Sequence, residues 1–223
     1  MMKFGAAIAA AAMVAMPAMA APRDTLAVAA FQTRDKAAAI AQVAAAEREA
    51  AGLVAAGDRA ALFDRAMAIG YRAKLTRSRS DAQTSRKMFE AFAAANPRDP
   101  EAQIALGGWH LDAIDQLGGM IARTALGAKR AVGEAALDRS VALGQRRAMF
   151  PALAAMMRIR LDPKDLRRVA TLAEAATRAP APTPLDRLLQ RNAAAILVPV
   201  RAGDGEAASK LARQLLPFGR LTN

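Results

Sequence analysis

The stretch from Asn96 to Leu111, NPRDPEAQIALGGWHL, decides the predicted fold. Asn96 precedes Pro97, and a residue before proline is disfavoured in helical backbone, so one helix is expected to end there. The acidic residues that follow, together with Pro100, are typical of the first turn of a new helix. The stretch therefore predicts two helices joined by a short turn, and it contains no catalytic motif.

The rest of the chain also has the pattern of helices. Hydrophobic residues make up 54% of the sequence and aromatic residues only 4%, because most of the apolar content is alanine. Alanine loses no side-chain entropy in a helix, so this composition favours helical structure. Apolar residues recur at intervals of three and four, and no segment alternates with the period of two that a half-buried strand shows. We expect an all-α fold of about nine or ten helices, stacked as hairpins in a solenoid.

The first twenty residues have the pattern of a secretory signal. Lys3 is followed by an apolar run from Phe4 to Met16, and Pro17 precedes the small residues of an Ala-Met-Ala cleavage site that ends at Ala20. The run is shorter than the roughly 20 residues of a membrane-spanning helix, so an uncleaved anchor is the weaker alternative. We expect a secreted, periplasmic protein with a signal peptide at 1–20, a lead-in segment at 21–33 and a single helical repeat domain at 34–223.

The charge of the chain is strongly positive and unevenly distributed. The formal net charge is +12, and the segment from Gly144 to the C-terminus contains fourteen basic and six acidic residues. Such an excess suits anionic partners such as lipid headgroups or envelope polymers, although a basic composition on faces that merely contact solvent explains it equally well. Nucleic acid is not expected, because this third of the chain has only Phe150 and Phe218 for base stacking.

The turn at Pro97 resembles the junction between two tetratricopeptide repeats. That family places a proline before the first helix of a repeat, then Glu-Ala, and Leu-Gly after a further short interval. The resemblance implies that the leucine fills the space between two helices and that the glycine lets a neighbouring helix approach closely. The repeat-packing residues implied in this chain are Phe89, Phe92, Pro97, Ala102, Leu106 and Gly107.

A longer pattern behind this junction is similar to one subfamily of such proteins. The strings LGGWHL, IARTALG and EAALDRSVAL resemble the tetratricopeptide-like proteins of the regulator-of-microtubule-dynamics family and their bacterial relatives. The resemblance implies a short inserted helix over Met120–Gly127, followed by an alanine-rich partner helix. Two positions depart from the repeat pattern, since Gln103 stands where tryptophan is frequent and His110 where tyrosine is usual.

The sequence predicts neither catalysis nor a cofactor or metal site. The chain has one histidine and no cysteine, so a thiolate site and a disulfide are excluded. His110 lacks carboxylates at a metal-binding spacing, and no serine lies in a nucleophile elbow. The paired glycines are not followed by the Lys-Ser/Thr of a phosphate loop.

Two functions from different classes are therefore open. The first is a non-catalytic scaffold that binds an unidentified protein or peptide in its concave face, with Gln103, Trp109, His110 and Asp112 as the candidate groove lining. The second is an electrostatic binder of anionic envelope polymers or lipid headgroups. Its candidate basic patch consists of Arg146, Arg147, Lys164, Arg168, Arg187 and Arg191.

Overall fold

A computed structural model of the chain describes residues 21–144 and 146–222, and within them the structure is all-helical. This part contains eleven α-helices, slightly more than expected, and no strand apart from an isolated bridge between Asp35 and Thr222. The predicted signal segment at 1–20 lies outside the described residues. Within residues 21–144 and 146–222, no helix is long and apolar enough to cross a membrane.

The helices follow one another with short connections. They are α1 (Pro22–Phe31), α2 (Lys36–Ala55), α3 (Ala61–Thr76), α4 (Arg79–Ala95), α5 (Pro100–Leu117), α6 (Gly119–Ile121), α7 (Arg130–Leu143), α8 (Met149–Leu161), α9 (Leu166–Arg178), α10 (Pro184–Arg201) and α11 (Gly205–Leu215). A π-helix over Ala122–Leu126 continues directly from α6.

Helix α1 occupies the segment that the sequence analysis left as a lead-in. Its residues Leu26, Ala29 and Ala30 are buried, and α1 packs against α2 around Val43. The segment has only ten residues, three of which are alanine, and it therefore shows no clear helical period in the sequence. The helical structure therefore extends upstream of Arg34.

The backbone N–H groups before α3 and at the start of α4 are satisfied in different ways. Helix α4 is capped by Ser78, whose hydroxyl accepts the backbone N–H of Asp81 at 3.3 Å. Asp58 does not cap α3; its carboxylate accepts the N–H of Ala60 at 2.8 Å in the preceding turn. Ser and Asp side chains satisfy turn N–H groups as readily as helix ends, so the pattern alone does not separate the two roles.

Consecutive helices pack as hairpins, and α8 lies at their centre. The packed pairs include α2 with α3, α3 with α4, α8 with α9 and α9 with α10. Helix α8 contacts α5, α7, α9, α10 and α11, and every residue from Met149 to Arg160 is buried. In a linear solenoid each repeat contacts only its neighbours, so α8 is enclosed on more sides than that arrangement requires.

Helix α5 pairs with α7, past the short inserted segment. A β-carbon at Gly107 would lie 2.9 Å from the carbonyl oxygen of Gly133 and 3.0 Å from the amide nitrogen of Leu137. A β-carbon at Gly133 would lie 2.7 Å from the side chain of Leu111. The two backbones therefore approach each other as closely as they do because each helix presents a glycine to the other.

The inserted segment is held by side chains of α4. The π-helix ends at Gly127, which has a left-handed backbone with a φ of 72°. Its last carbonyl groups accept three side-chain hydrogen bonds, since Arg79 and Gln83 donate to Ala125 and Arg86 donates to Leu126. These bonds satisfy carbonyl groups that a helix end leaves without backbone partners.

The C-terminal segment packs back onto the first two helices. The N–H of Phe218 donates to the carbonyl of Ala30 at 2.7 Å, and the N–H of Thr222 donates to Arg34 at 2.8 Å. The Phe218 ring meets Tyr71 edge-on, with 5.0 Å between the ring centroids. The segment after α11 thus covers the small core formed by α1, α2 and α3.

Candidate functional site

A cleft of about 540 Å³ lies where the first turn of α5 meets the turn that follows α7. Its walls come from α1, α3, α4, α5 and the start of α8, so residues that are far apart in sequence meet there. We call it the Phe92 cleft. Its main lining residues are Arg23, Phe63, Phe92, Glu101, Leu143, Arg146, Arg147 and Phe150.

Glu101 is the charged centre of this cleft. One carboxylate oxygen accepts a hydrogen bond from Arg23 at 2.6 Å, and the other accepts one from Arg147, also at 2.6 Å. Arg23 additionally donates to Asp64 at 2.9 Å, and Arg147 lies 3.2 Å from Asp186. The four carboxylate–guanidinium contacts join α1, α3, α5, α10 and the turn after α7 at one place.

Asp186 anchors this network from the interior. Its side chain is fully buried, and it forms a capping box with Thr183 at the start of α10. It also accepts the backbone N–H of Met149 at 3.3 Å and the guanidinium of Arg147. A buried carboxylate is stable only when it is paired and hydrogen-bonded, and these contacts supply both conditions. The position of Arg147 at the cleft therefore depends on a fixed interior charge.

Aromatic rings form the floor of the cleft, and two of them are covered by cations. Arg23 lies 5.1 Å above the Phe63 ring, and Arg147 lies 5.5 Å above the Phe150 ring. The Phe92 ring, 5.0 Å from that of Phe63, is only half-buried. Guanidinium groups over aromatic faces stabilise both partners. Phe92 is consequently the ring that a ligand reaches first.

The pKa of Arg23 reflects these neighbours. Burial disfavours the guanidinium charge, but the hydrogen bond to Asp64 and the charges of Glu101 and Asp64 outweigh that effect and raise the pKa. Arg23 therefore stays positively charged in the cleft, where it balances the carboxylate of Glu101.

The chemistry of the cleft favours binding. Glu101 has both oxygens engaged by guanidinium groups, and Asp99 caps α5 by accepting the N–H of Glu101 at 2.8 Å. Charge-assisted hydrogen bonds of this kind hold the carboxylate in one position between the two guanidinium groups. Across the described residues, no group of three or more His, Cys, Asp or Glu side chains is placed to hold a metal ion.

The predicted groove lining does not form one surface. Gln103 and His110 are buried, with 3% and 1% of their surfaces exposed, so they cannot contact a partner. Trp109 is half-buried, and its indole N–H donates to the hydroxyl of Ser85 at 3.1 Å. These side chains point into the contacts of α5 with α4 and α7, because α5 is packed on more than one side.

Asp112, the fourth predicted groove residue, belongs to an internal ion network. Its Oδ1 accepts hydrogen bonds from Lys74 and Arg160, each at 2.8 Å. Burial tends to raise the pKa of Asp112, but the charges of Lys74 and Arg160 outweigh it and hold that pKa below its usual range. Asp115 binds the same Arg160 and also Arg213. The network links α3, α5, α8 and α11.

His110 is held in a fixed neutral state. Its Nδ1 accepts the backbone N–H of Lys129 at 3.3 Å, so the proton of the neutral ring is on Nε2. That Nε2 is buried without a hydrogen-bond partner in the described part of the chain. Burial, with the nearby charges of Arg86 and Lys129, lowers the pKa of His110 to about 4.

The predicted basic patch is divided among several environments. Arg146 and Arg147 line the Phe92 cleft. Arg168, on α9, binds Asp138 of α7 at 2.7 Å. Arg187 donates to backbone carbonyl groups just before its own helix. Lys164 and Arg191 are exposed. The patch is therefore partly neutralised by contacts within the chain.

The predicted repeat-packing residues lie at the contacts of α4, α5 and α7. Phe89 is buried in a small core with Phe63, and Phe92 and Leu106 pack against that core. Ala102 is buried and Pro97 is exposed in the turn before α5. The cleft residues Arg23, Phe63, Glu101 and Phe150 were not predicted as site residues. No local signal identifies them, since 78 positions separate Arg23 from Glu101.

No family model, no curated protein and no solved structure matches this chain. The resemblance to tetratricopeptide repeats therefore stays a prediction that depends on the residues around Pro97. The function is argued below from the geometry of the Phe92 cleft.

Proposed function

We propose that this protein is a non-catalytic helical scaffold that binds a protein or peptide partner in the Phe92 cleft. The observation that carries the proposal is the exposed edge of the cleft, where apolar and charged side chains lie together. Phe92 is half-buried and Leu143 is 40% exposed, and both border the exposed cation Arg146. A partner segment with an apolar side chain next to an acidic one would complement these three residues.

The rigidity of the walls supports this proposal. Five elements meet at the cleft, and the salt bridges of Glu101 and Asp186 fix the guanidinium of Arg147 at its edge. A preformed site loses less conformational entropy on binding than a mobile one does. The export predicted from the first twenty residues would place the partner in the periplasm.

We further propose that the junction between α4 and α5 is a tetratricopeptide-like repeat junction within a solenoid of hairpins. The exposed Pro97, the buried Ala102 and the close contact of Gly107 with α7 support this. The enclosure of α8 by five helices requires that such a solenoid be strongly curved or closed near its C-terminal end. The inserted segment between α5 and α7 is the feature that supports the subfamily resemblance.

Site-directed crosslinking tests the binding proposal. A photoreactive phenylalanine analogue in place of Phe92 should crosslink to a partner in an extract of the native cells. The same analogue at Val198, which is exposed on α10 far along the chain, is the matched control. A second substitution, Leu143→Glu, should remove the adduct at position 92 without changing the helical circular dichroism spectrum. An adduct that forms equally at both positions, or that survives Leu143→Glu, contradicts the proposal.

A salt titration separates this function from the electrostatic alternative. Binding to an anionic polymer weakens steeply as salt increases, because screening removes most of its driving force. Binding in the Phe92 cleft should weaken by only about threefold between low and physiological salt, since one exposed cation, Arg146, contributes. A steep loss that Lys164→Ala or Arg191→Ala reduces would favour the basic patch.

A further inference from the structure

The turn between α5 and the inserted segment exposes three large apolar side chains. Met120 is 81% exposed, Ile121 is 58% exposed and Leu117 is 41% exposed. They are close in sequence and separated only by Gly118 and Gly119. Single exposed apolar residues are common on proteins, whereas a cluster of this kind marks an interaction surface. We call these three residues the apolar tip.

The apolar tip is supported by ordered structure. Helix α5 ends at Gly118, whose φ of 76° lets the chain reverse into α6. The π-helix behind the tip is anchored by the side chains of Arg79, Gln83 and Arg86, which donate to its carbonyl groups. Ala122, the residue after the tip, is fully buried. The exposure of Met120 and Ile121 is thus imposed by the fold.

The exposed charged side chains near the apolar tip that form no salt bridge in the described residues are basic. The sequence from 116 to 133 contains no acidic residue, and Arg123 and Lys129 within it are exposed. Arg77 and Arg79, at the adjoining ends of α3 and α4, are exposed as well. In the described residues, none of these four side chains forms a salt bridge within the chain.

The carboxylates on this side of the molecule are already paired. Asp81 binds Arg72 at 2.8 Å, Asp112 binds Lys74 at 2.8 Å, and Asp115 binds Arg160 at 3.5 Å. These ion pairs reduce the negative field near the tip. The exposed cations there consequently attract an anionic surface without local competition.

We propose that the apolar tip inserts into the surface of an anionic lipid bilayer, with the surrounding cations bound to headgroups. The tip consists of three side chains, which is too little for a stable protein interface of about 800 Å² on each partner. Peripheral proteins bind membranes by two weak attractions. Apolar side chains enter the headgroup region, and flanking lysine and arginine side chains bind anionic headgroups. This surface is distinct from the Phe92 cleft and does not depend on the function proposed for it.

The absence of cysteine from the whole sequence allows a direct test. The variant Met120→Cys, labelled with an environment-sensitive fluorophore, is mixed with phosphatidylcholine vesicles with or without phosphatidylglycerol. We expect a blue shift and an increase in emission only with the anionic vesicles. The matched control is Val198→Cys, whose side chain is 72% exposed on α10, and its emission should not change.

Binding of the full-length chain to the same vesicles, measured by co-sedimentation, supplies the second readout. Ile121→Glu should weaken partitioning about tenfold, because an apolar contact is lost and a negative charge is added. Arg123→Glu should weaken it by roughly fivefold or more, since each cation near the surface contributes a comparable factor. Val198→Glu should leave it unchanged. Every variant keeps the apolar run from Phe4 to Met16, so any vesicle binding by that run is the same in all of them. Differences in partitioning among the variants therefore report on the substituted positions.

The outcomes separate a lipid surface from other partners. A blue shift at position 120 but not at 198, together with the losses for Ile121→Glu and Arg123→Glu, supports the proposal. Equal responses at the two labelled positions, or partitioning that neither tip variant weakens, overturns it. So does a tip label that responds to no vesicle while the wild-type chain self-associates through a contact that Ile121→Glu abolishes.

Discussion

At the scale of single residues, the packing around His110 determines its protonation state. It is the only histidine in the chain, and it stands where the repeat family usually has a tyrosine. Its side chain is 1% exposed, its Nδ1 accepts a backbone N–H, and its ring meets Trp109 edge-on at 5.1 Å. The ring fills space between α5 and the inserted segment as a neutral group. Because the pKa of His110 is about 4, its ring carries no charge at neutral pH.

The pKa of His110 predicts an acid dependence of stability. The pKa is about 4 in the folded state and about 6.5 in an unfolded chain. Between these values the unfolded state binds a proton that the folded state does not, so stability is complete above about pH 6.5 and falls as the pH approaches 4. The loss should reach about 3 kcal/mol. Urea unfolding at pH 7 and pH 4.5 measures it.

The variant His110→Gln isolates this contribution. Glutamine keeps an acceptor for the N–H of Lys129 and does not titrate. The difference in unfolding free energy between pH 7 and pH 4.5 should therefore be smaller in the variant by about 2 kcal/mol or more. Equal pH dependence in both proteins would show that His110 is not the titrating group.

At the scale of elements, the pair of α5 and α7 depends on two glycines. Gly107 lies against the backbone of α7, and Gly133 lies against Leu111 and His110 of α5. The inserted segment displaces α7 along the chain, yet the two helices remain closely packed. Small residues at such a contact let dispersion forces act between whole backbones. The contact of Gly133 with His110 also helps to bury the His110 side chain.

A comparison of two glycine substitutions tests this contact. Gly107→Ala should destabilise the protein by about 1–3 kcal/mol, because its β-carbon would overlap the backbone of Gly133 and Leu137. Gly52→Ala, in the last turn of α2 with no atom within 4 Å of the new β-carbon, should instead be neutral or stabilise by up to roughly 1 kcal/mol. Thermal unfolding followed by circular dichroism measures both. A neutral Gly107→Ala would contradict the close pairing of α5 with α7.

At the scale of the whole molecule, the segment after α11 packs against the first helices of the described chain. Phe218 contacts Ala30 and Tyr71, and Thr222 reaches Arg34. Together with the salt bridges of Arg23 to Glu101 and of Arg213 to Asp115, these contacts connect early and late helices. A contact across the length of the chain stabilises only the complete fold, because no partial fold contains both sides of it.

Removing the Phe218 ring tests whether this closure contributes to stability. Phe218→Ala should lower the unfolding free energy by about 3 kcal/mol, which corresponds to a decrease of roughly 6–12 °C in the midpoint of thermal unfolding. The neighbouring change Arg220→Ala is the control, since Arg220 is exposed, and its midpoint should not move. A Phe218 variant that unfolds at the wild-type temperature would mean that the segment docks without stabilising the fold.

Local sequence patterns were enough to predict the helical class and the boundary between α4 and α5. The end of α4 at Ala95 and the start of α5 at Pro100 follow from Asn96-Pro97 and Asp99, because proline and capping groups act over a few residues. The short helical segment after Gly118 agrees with the inserted helix that the repeat resemblance implied. The close approach at Gly107 was inferred from the repeat resemblance and agrees with its contacts.

Which helix faces are buried, and which distant residues meet at the Phe92 cleft, depend on the packing of the helices. Gln103 and His110, two candidates for the groove lining, are interior because α5 is covered by α4, α7 and α8. The Phe92 cleft brings Arg23 to Glu101 and Arg147 across long stretches of chain. Helical periodicity identifies one apolar stripe of a helix, but the number of neighbours that cover it depends on the packing of all helices together.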